Sequence, residues 1–222
     1  MADRCCVFWD ASNIYVTAKQ VAKAREGSEF GRDLRIHFHT LWELATAGRT
    51  VVAGACVGSQ ARGGQTGLRE RLGATVDCVE IYERGDATAT EQAVDQALQV
   101  HMLRALADLP PSVAVLLTGD GAGYNEGRGF HADLERMYKR GWGIEVLSWN
   151  DACNRRLKAW SRAKGTFIAL DDFYESIIYL KGVRPPRPLT QSRRLSEPRA
   201  IYRSVSDERQ VGQLFEAAGD LS

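Results

Sequence analysis

The stretch Val7-Phe8-Trp9-Asp10-Ala11-Ser12-Asn13 ends an apolar run on an aspartate and follows it, three residues later, with an amide. Leu116-Leu117-Thr118-Gly119-Asp120 repeats the device, and the glycine-rich loop Gly121-Ala122-Gly123-Tyr124-Asn125-Glu126-Gly127 comes after it. A third acidic element, Thr88-Ala89-Thr90-Glu91-Gln92-Ala93-Val94-Asp95, enters a long helical pattern, where Glu91 and Asp95, four residues apart, share one face. Carboxylates gathered in this way hold hard cations such as Mg²⁺ or Mn²⁺. A cation so held reverses the sign of an acidic cleft, which lets a polyanion enter, and it activates water toward a phosphodiester. Each element also has a purely local explanation. Asp10 and Asp120 both precede expected helices and can act as N-caps, and Thr88 with Glu91 fits a capping box in which Glu91 binds only backbone. For the pair Asp10 and Asp120 a metal is the better account, because strands that end in aspartate at one sheet edge can converge on one cleft.

Five short runs rich in β-branched and apolar residues supply the strands: Cys5 to Trp9, Thr50 to Val57, Val76 to Tyr82, Val113 to Thr118 and Ile144 to Trp149. Their near-continuous apolar character fits strands covered on both faces. Helices are expected at Ile14 to Lys23, Thr40 to Ala47, Gly67 to Leu72, Glu91 to Ala107, Phe130 to Arg140 and Asn150 to Ala163, with Asp171 to Lys181 completing the domain. Strand alternating with helix predicts a three-layer α/β/α fold around a central, mostly parallel sheet of five or six strands. Ligands of such sheets sit at the carboxyl ends of the strands.

Loops expected at that edge carry Arg62, Arg84 and Arg128, candidates for gripping phosphate through the planar guanidinium. Tyr15 and Tyr124 are candidates for stacking on exposed bases. The competing account has the arginines solvating loops and the aromatics packing in place.

These residues resemble the NYN domain, a branch of the PIN-like nucleases, from Val7 to about Leu180. The resemblance rests on Val7 to Asn13 as the opening strand and amide, on Glu91-Gln92-Ala93-Val94-Asp95-Gln96-Ala97-Leu98 as the acidic helix, and on Leu117-Thr118-Gly119-Asp120 as the third motif, in matching order. Phe167-Ile168-Ala169-Leu170-Asp171-Asp172-Phe173 is similar to the segment that closes these domains. The resemblance implies a PIN-like, Rossmann-like fold and metal-dependent RNA hydrolysis. Asp10, Asp95 and Asp120 would be the Mg²⁺- or Mn²⁺-binding carboxylates and Asn13 an orienting residue of the catalytic site. Members of the family also act as RNA-binding or regulatory modules. One position departs from the pattern: where the family usually has a second acid two residues after its Gly-Asp, this chain has Ala122. Asn125 and Glu126 are accessory candidates for the missing oxygen ligand, with Glu91.

At 222 residues the chain suits one sizeable domain with a tail. Apolar residues at 44% and charged residues at 26% are ordinary for a soluble protein, and no run approaches the roughly 20 residues of a membrane span. The opening Met1-Ala2-Asp3-Arg4-Cys5 lacks a secretory pattern, so a cytoplasmic protein without membrane association is expected. Five cysteines without Cys-x-x-Cys spacing read as buried thiols, and neither they nor the four histidines show zinc spacing.

A net charge of +1 does not announce a nucleic-acid binder, but its distribution is uneven. Lys181 to Arg203 holds seven basic residues, one acid and four prolines. The domain is therefore expected over residues 1–182, and 183–222 as a basic tail with a short helix at Ser206 to Ala218. The tail reads either as a solvated linker or as an arm along phosphates, and its helix as a docking element for the domain, a second copy or another protein. The enzyme reading competes with a nonhydrolytic RNA-binding module on the same fold. Nucleotide-binding and phosphotransfer enzymes fit poorly, since neither Gly-x-Gly-x-x-Gly nor a phosphate loop is present.

Overall fold

The computed structural model describes residues 3–27, 34–60, 78–83, 87–118, 129–180, 184–189 and 199–202. Its strands are β1 (Arg4–Asp10), β2 (Leu34–Ile36), β3 (Thr50–Gln60), β4 (Cys78–Glu83), β5 (Val113–Leu117), β6 (Gly143–Ser148), β7 (Thr166–Ala169) and β8 (Ile178–Leu180). The helices are α1 (Ala11–Glu26), α2 (Phe38–Thr46), α3 (Ala87–Asp108), α4 (Phe130–Lys139), α5 (Arg155–Lys164) and the single turn α6 (Tyr174–Ile177). Six strands form one sheet in the order β4-β3-β1-β5-β6-β7, and every pairing in it is parallel.

Alternation along the strands builds two cores. Val7 and Trp9 of β1 face one side with Val115 and Leu117, packed against Ile14 and Ala18 of α1 and Leu41 and Leu44 of α2. Cys6 and Phe8 face the other side with Leu116 and Val146, against Val94, Leu98 and Met102 of α3, Leu134 of α4 and Leu157 of α5. Each valine, leucine, isoleucine, phenylalanine or methionine among them, removed from water, stabilises the fold by about 1.5–3 kcal/mol before entropy is counted. Because both faces are covered, β5 and β6 are buried at every position.

The expected architecture and five expected strands agree with this sheet. The sixth strand, β7, and the small antiparallel pair of β2 with β8 come in addition. The segment expected to complete the domain from Asp171 onward holds most of a 3₁₀ turn at Leu170–Phe173, then the turn α6, then β8, which ends at Leu180. Ile178-Tyr179-Leu180 alternates buried and half-buried, and Leu34-Arg35-Ile36 gives it a strand partner. α5 starts at Arg155 rather than Asn150, because Asn154 caps it by accepting from the N–H groups of Arg156 and Leu157. The expected helices at Gly67 to Leu72 and Ser206 to Ala218 lie outside the described residues.

Residues 184–189 and 199–202 lie on the domain. Arg184 bridges Leu180 through both backbone groups, and its guanidinium meets Glu26 at 2.7 Å. Arg187 pairs with Glu175, and Arg199 with Asp3 at 2.8 Å. The backbone of Ile201 passes so close to Gly143 that a Cβ there would stand 2.9 Å from it.

Candidate functional site

Sheet order sets the location. From β1 the chain moves outward through β3 to β4, then returns through α3 to β5 on the other flank of β1 and continues to β6 and β7. The carboxyl ends of β1 and β5 are therefore the point where the winding reverses, the place where open α/β sheets bind ligands.

Asp10 closes β1 at this point and is 2% exposed. It is also the N-cap of α1, its Oδ1 accepting from the Asn13 N–H at 2.9 Å, so the local explanation for this aspartate is realised. Capping occupies part of one carboxylate oxygen and leaves metal ligation chemically open. The Asn13 side-chain oxygen accepts from the Thr17 hydroxyl at 3.3 Å.

Trp9 is level with Leu117, and Leu117 with Leu147. One rung further, Asp10 at the end of β1, Thr118 just beyond β5 and Ser148 at the end of β6 stand abreast, and the last two are fully buried. The Thr118 N–H donates to the Leu147 carbonyl at 3.3 Å. Strand alternation puts all three on the side of Phe8, Leu116 and Val146, the face covered by α3.

α3 links two parallel strands, so it begins at the carboxyl edge and runs back across the sheet. Asp95 lies half-buried on it beside Val94, which packs on the sheet. At 1.5 Å per residue Asp95 is about 12 Å from the helix start. The helix already contains Ala87 and Thr88, so Thr88 stands inside it rather than at the N-cap that a capping box needs.

Asp120, Asn125, Glu126, Arg62, Arg84, Arg128 and Tyr124 lie outside the described residues, as does the side chain of Glu91. Among the described residues, no group of three or more histidine, cysteine, aspartate or glutamate side chains is arranged to hold a metal ion. A metal ion held by Asp10 and Asp95 would need a further donor. Tyr15 packs partly against the α1 core with Lys19 Nζ 4.6 Å above its ring, which matches the packing account of this residue. Three tail arginines counted as candidates for a phosphate-binding arm, Arg184, Arg187 and Arg199, are engaged with Glu26, Glu175 and Asp3.

One acid near this edge went unread in the sequence. Asp133 is buried in the first turn of α4, 3% exposed, with Oδ1 2.7 Å from Arg136. Burial pushes its carboxyl up, and Arg136 offsets part of that. Within an amphipathic helix an aspartate reads as a solvent-facing residue, and only packing shows otherwise. Asp171 acts as a structural clasp. Its carboxylate accepts from the Asn150 N–H at 2.6 Å and meets Arg25 at 3.3 Å, fastening α1 to the segment after β7.

The family model described as NYN domain matches residues 4–171. A search of curated proteins finds no match.

Proposed function

The chain belongs to the NYN domain family, and from that membership we propose that it is a metal-dependent endoribonuclease hydrolysing RNA phosphodiester bonds. The observation that carries this reading is Asp10, a buried carboxylate at the winding reversal between β1 and β5, on the sheet face covered by the helix that bears Asp95.

The donors fit a hard cation. Asp10 and Asp95 offer carboxylate oxygens, Thr118 stands just beyond the end of the strand beside Asp10, and Mg²⁺ and Mn²⁺ take all-oxygen sites. Asp120, two residues beyond Thr118, is assigned as the third carboxylate. When bound, the cation supplies Lewis acidity that activates water and neutralises charge growing on the phosphoryl oxygens. Asp10 holds its place through the Asn13 N–H, and Asn13 is held in turn by Thr17, which pre-organises the first turn of α1. Arg62 follows the end of β3 by two residues, Arg84 follows β4 directly, and Arg128 precedes the cap of α4, so each is assigned to phosphate binding from the same edge. Asn125, Glu126 and Glu91 remain accessory candidates for the position where Ala122 replaces an acid.

Incubating labelled single-stranded and structured RNAs with Mg²⁺, Mn²⁺ or EDTA tests this reading. Cleavage that needs metal and falls at least about 100-fold in Asp10→Asn and Asp120→Asn supports it. A wild-type protein that binds RNA and cleaves none of it under any metal replaces it with a nonhydrolytic RNA-binding module, the reading that Ala122 favours.

A further inference from the structure

The ladder between β1 and β3 ends with Asp10 opposite Val57. β3 nevertheless continues through Gly58, Ser59 and Gln60, held on its far side by Ile81, Tyr82 and Glu83 of β4. On the near side β1 has already turned into α1, and Ser12 takes the place of the next rung. Its Oγ accepts from the Ser59 backbone N–H and donates to the Ser59 Oγ at 3.1 Å, where the paired residues are 47 apart in sequence. A hydroxyl donates one proton and accepts through its lone pairs, so this arrangement uses it in both senses.

We propose that Ser12 is a positioning residue of the carboxylate site, fixing the carboxyl end of β3 against the first turn of α1. The proposal rests on the metal-dependent ribonuclease reading. Asp10 caps α1 through the Asn13 N–H, and Ser12, the second residue of that helix, points its hydroxyl at another strand. The turn that carries Asp10 is thus tied internally by Asp10 and externally by Ser12. β3 then leads, two residues after Gln60, to Arg62. The Ser12–Ser59 contact therefore sets the separation between the carboxylate at the end of β1 and the carboxyl end of β3. Misplacement by about 1 Å at a reacting centre lowers rates by about 100-fold.

The two hydroxyls give graded variants. Ser12→Ala removes both bonds. Ser59→Ala keeps the N–H bond to Ser12 and loses the weaker side-chain contact. Ser12→Thr keeps the hydroxyl. With Mn²⁺ and a single-stranded RNA, Ser12→Ala is expected to lower kcat by about 10- to 100-fold with KM within about threefold, Ser59→Ala to fall less, and Ser12→Thr to restore most of the rate. Faster amide exchange at Ser59 in Ser12→Ala, without global unfolding, is expected alongside. A kcat for Ser12→Ala equal to wild type overturns the proposal, as does a loss that Ser12→Thr fails to rescue. If wild type cleaves no RNA, the ribonuclease reading falls by itself, and Mn²⁺ affinity then decides this proposal. A Ser12→Ala protein that binds Mn²⁺ at least about tenfold more weakly sustains the positioning role, and unchanged affinity overturns it.

Discussion

Arg49 and Glu145 face each other beneath the amino edge of the sheet with no solvent exposure of either side chain, and the Ala200 N–H donates to Glu145 Oε1 at 2.9 Å. Arg49 Nε also reaches Asp3 at 3.3 Å, and Asp3 in turn holds Arg199. This cluster joins the start of β3, the third residue of β6 and a segment far along the tail. Removing one partner leaves a buried charge without its counterion, so Glu145→Ala is expected to lower unfolding free energy by about 3–5 kcal/mol. Removing residues 190–222 takes away a hydrogen bond to a buried carboxylate and is expected to lower it by about 2 kcal/mol. Urea denaturation reads both, and a truncated protein with the wild-type midpoint contradicts the role given to residues 199–202.

Two glycines are expected to resist enlargement by different amounts. A Cβ at Gly143 would stand 2.9 Å from the Ile201 backbone, only just inside the closest approach a Cβ tolerates. A Cβ at Gly165 would stand 2.2 Å from the Ile144 carbonyl oxygen, within the central sheet. Gly143→Ala is expected to destabilise by about 1 kcal/mol and Gly165→Ala by about 3 kcal/mol or more. Equal thermal midpoints for the two variants would refute the difference.

Burial pushes the Cys5 thiol up to about 11, against the opposing pull of Arg49. The unfolded thiol ionises near 9.0, so between that pH and about 11 only the unfolded chain gains from ionisation. Stability is therefore expected to fall as pH rises through this window and to be insensitive to Cys5 below it. Cys6, Cys56 and Cys153 are buried as well. Alkylation followed by peptide mass analysis at about pH 8, below the ordinary thiol range, should leave these four thiols unlabelled in the native protein and label them in urea. Rapid native labelling of Cys5 contradicts the packing.

The Asp133 carboxyl, raised mainly by burial, gives a pH dependence of its own. The folded chain keeps this proton to a higher pH than the unfolded chain, whose carboxyl titrates near 3.8, so stability from this group falls as pH climbs through the carboxylate range and is greatest below it. Asp133→Asn is expected to flatten that slope as pH climbs above 3.8. Identical slopes in denaturation series across this range would contradict it.

The sheet was largely legible, and the reasons follow from length and burial. Cys5 to Trp9 and Val113 to Leu117 announce themselves because strands covered on both faces are apolar at every position. β7 has four residues and runs straight into a 3₁₀ turn, while β2 and β8 have three each, too few for alternation to stand out. The acids at the end of β1 and on α3 were readable because each follows or joins an apolar pattern. The Ser12–Ser59 contact was not, since 47 residues separate two ordinary serines. Nor were the tail's ion pairs: Arg184 finds Glu26 at a separation of 158 residues, and composition alone reports a surplus of bases.

The proposed chemistry turns on Asp10, Asp95 and Asp120 sharing one cation. Calorimetric titration of Mn²⁺ into wild type and into Asp10→Asn, Asp95→Asn and Asp120→Asn, each checked for intact secondary structure, probes this without relying on cleavage. One site is expected in wild type, with an affinity at least about tenfold lower in every variant, about 1.4 kcal/mol of lost binding each. Unchanged Mn²⁺ affinity in a folded Asp10→Asn protein would contradict it.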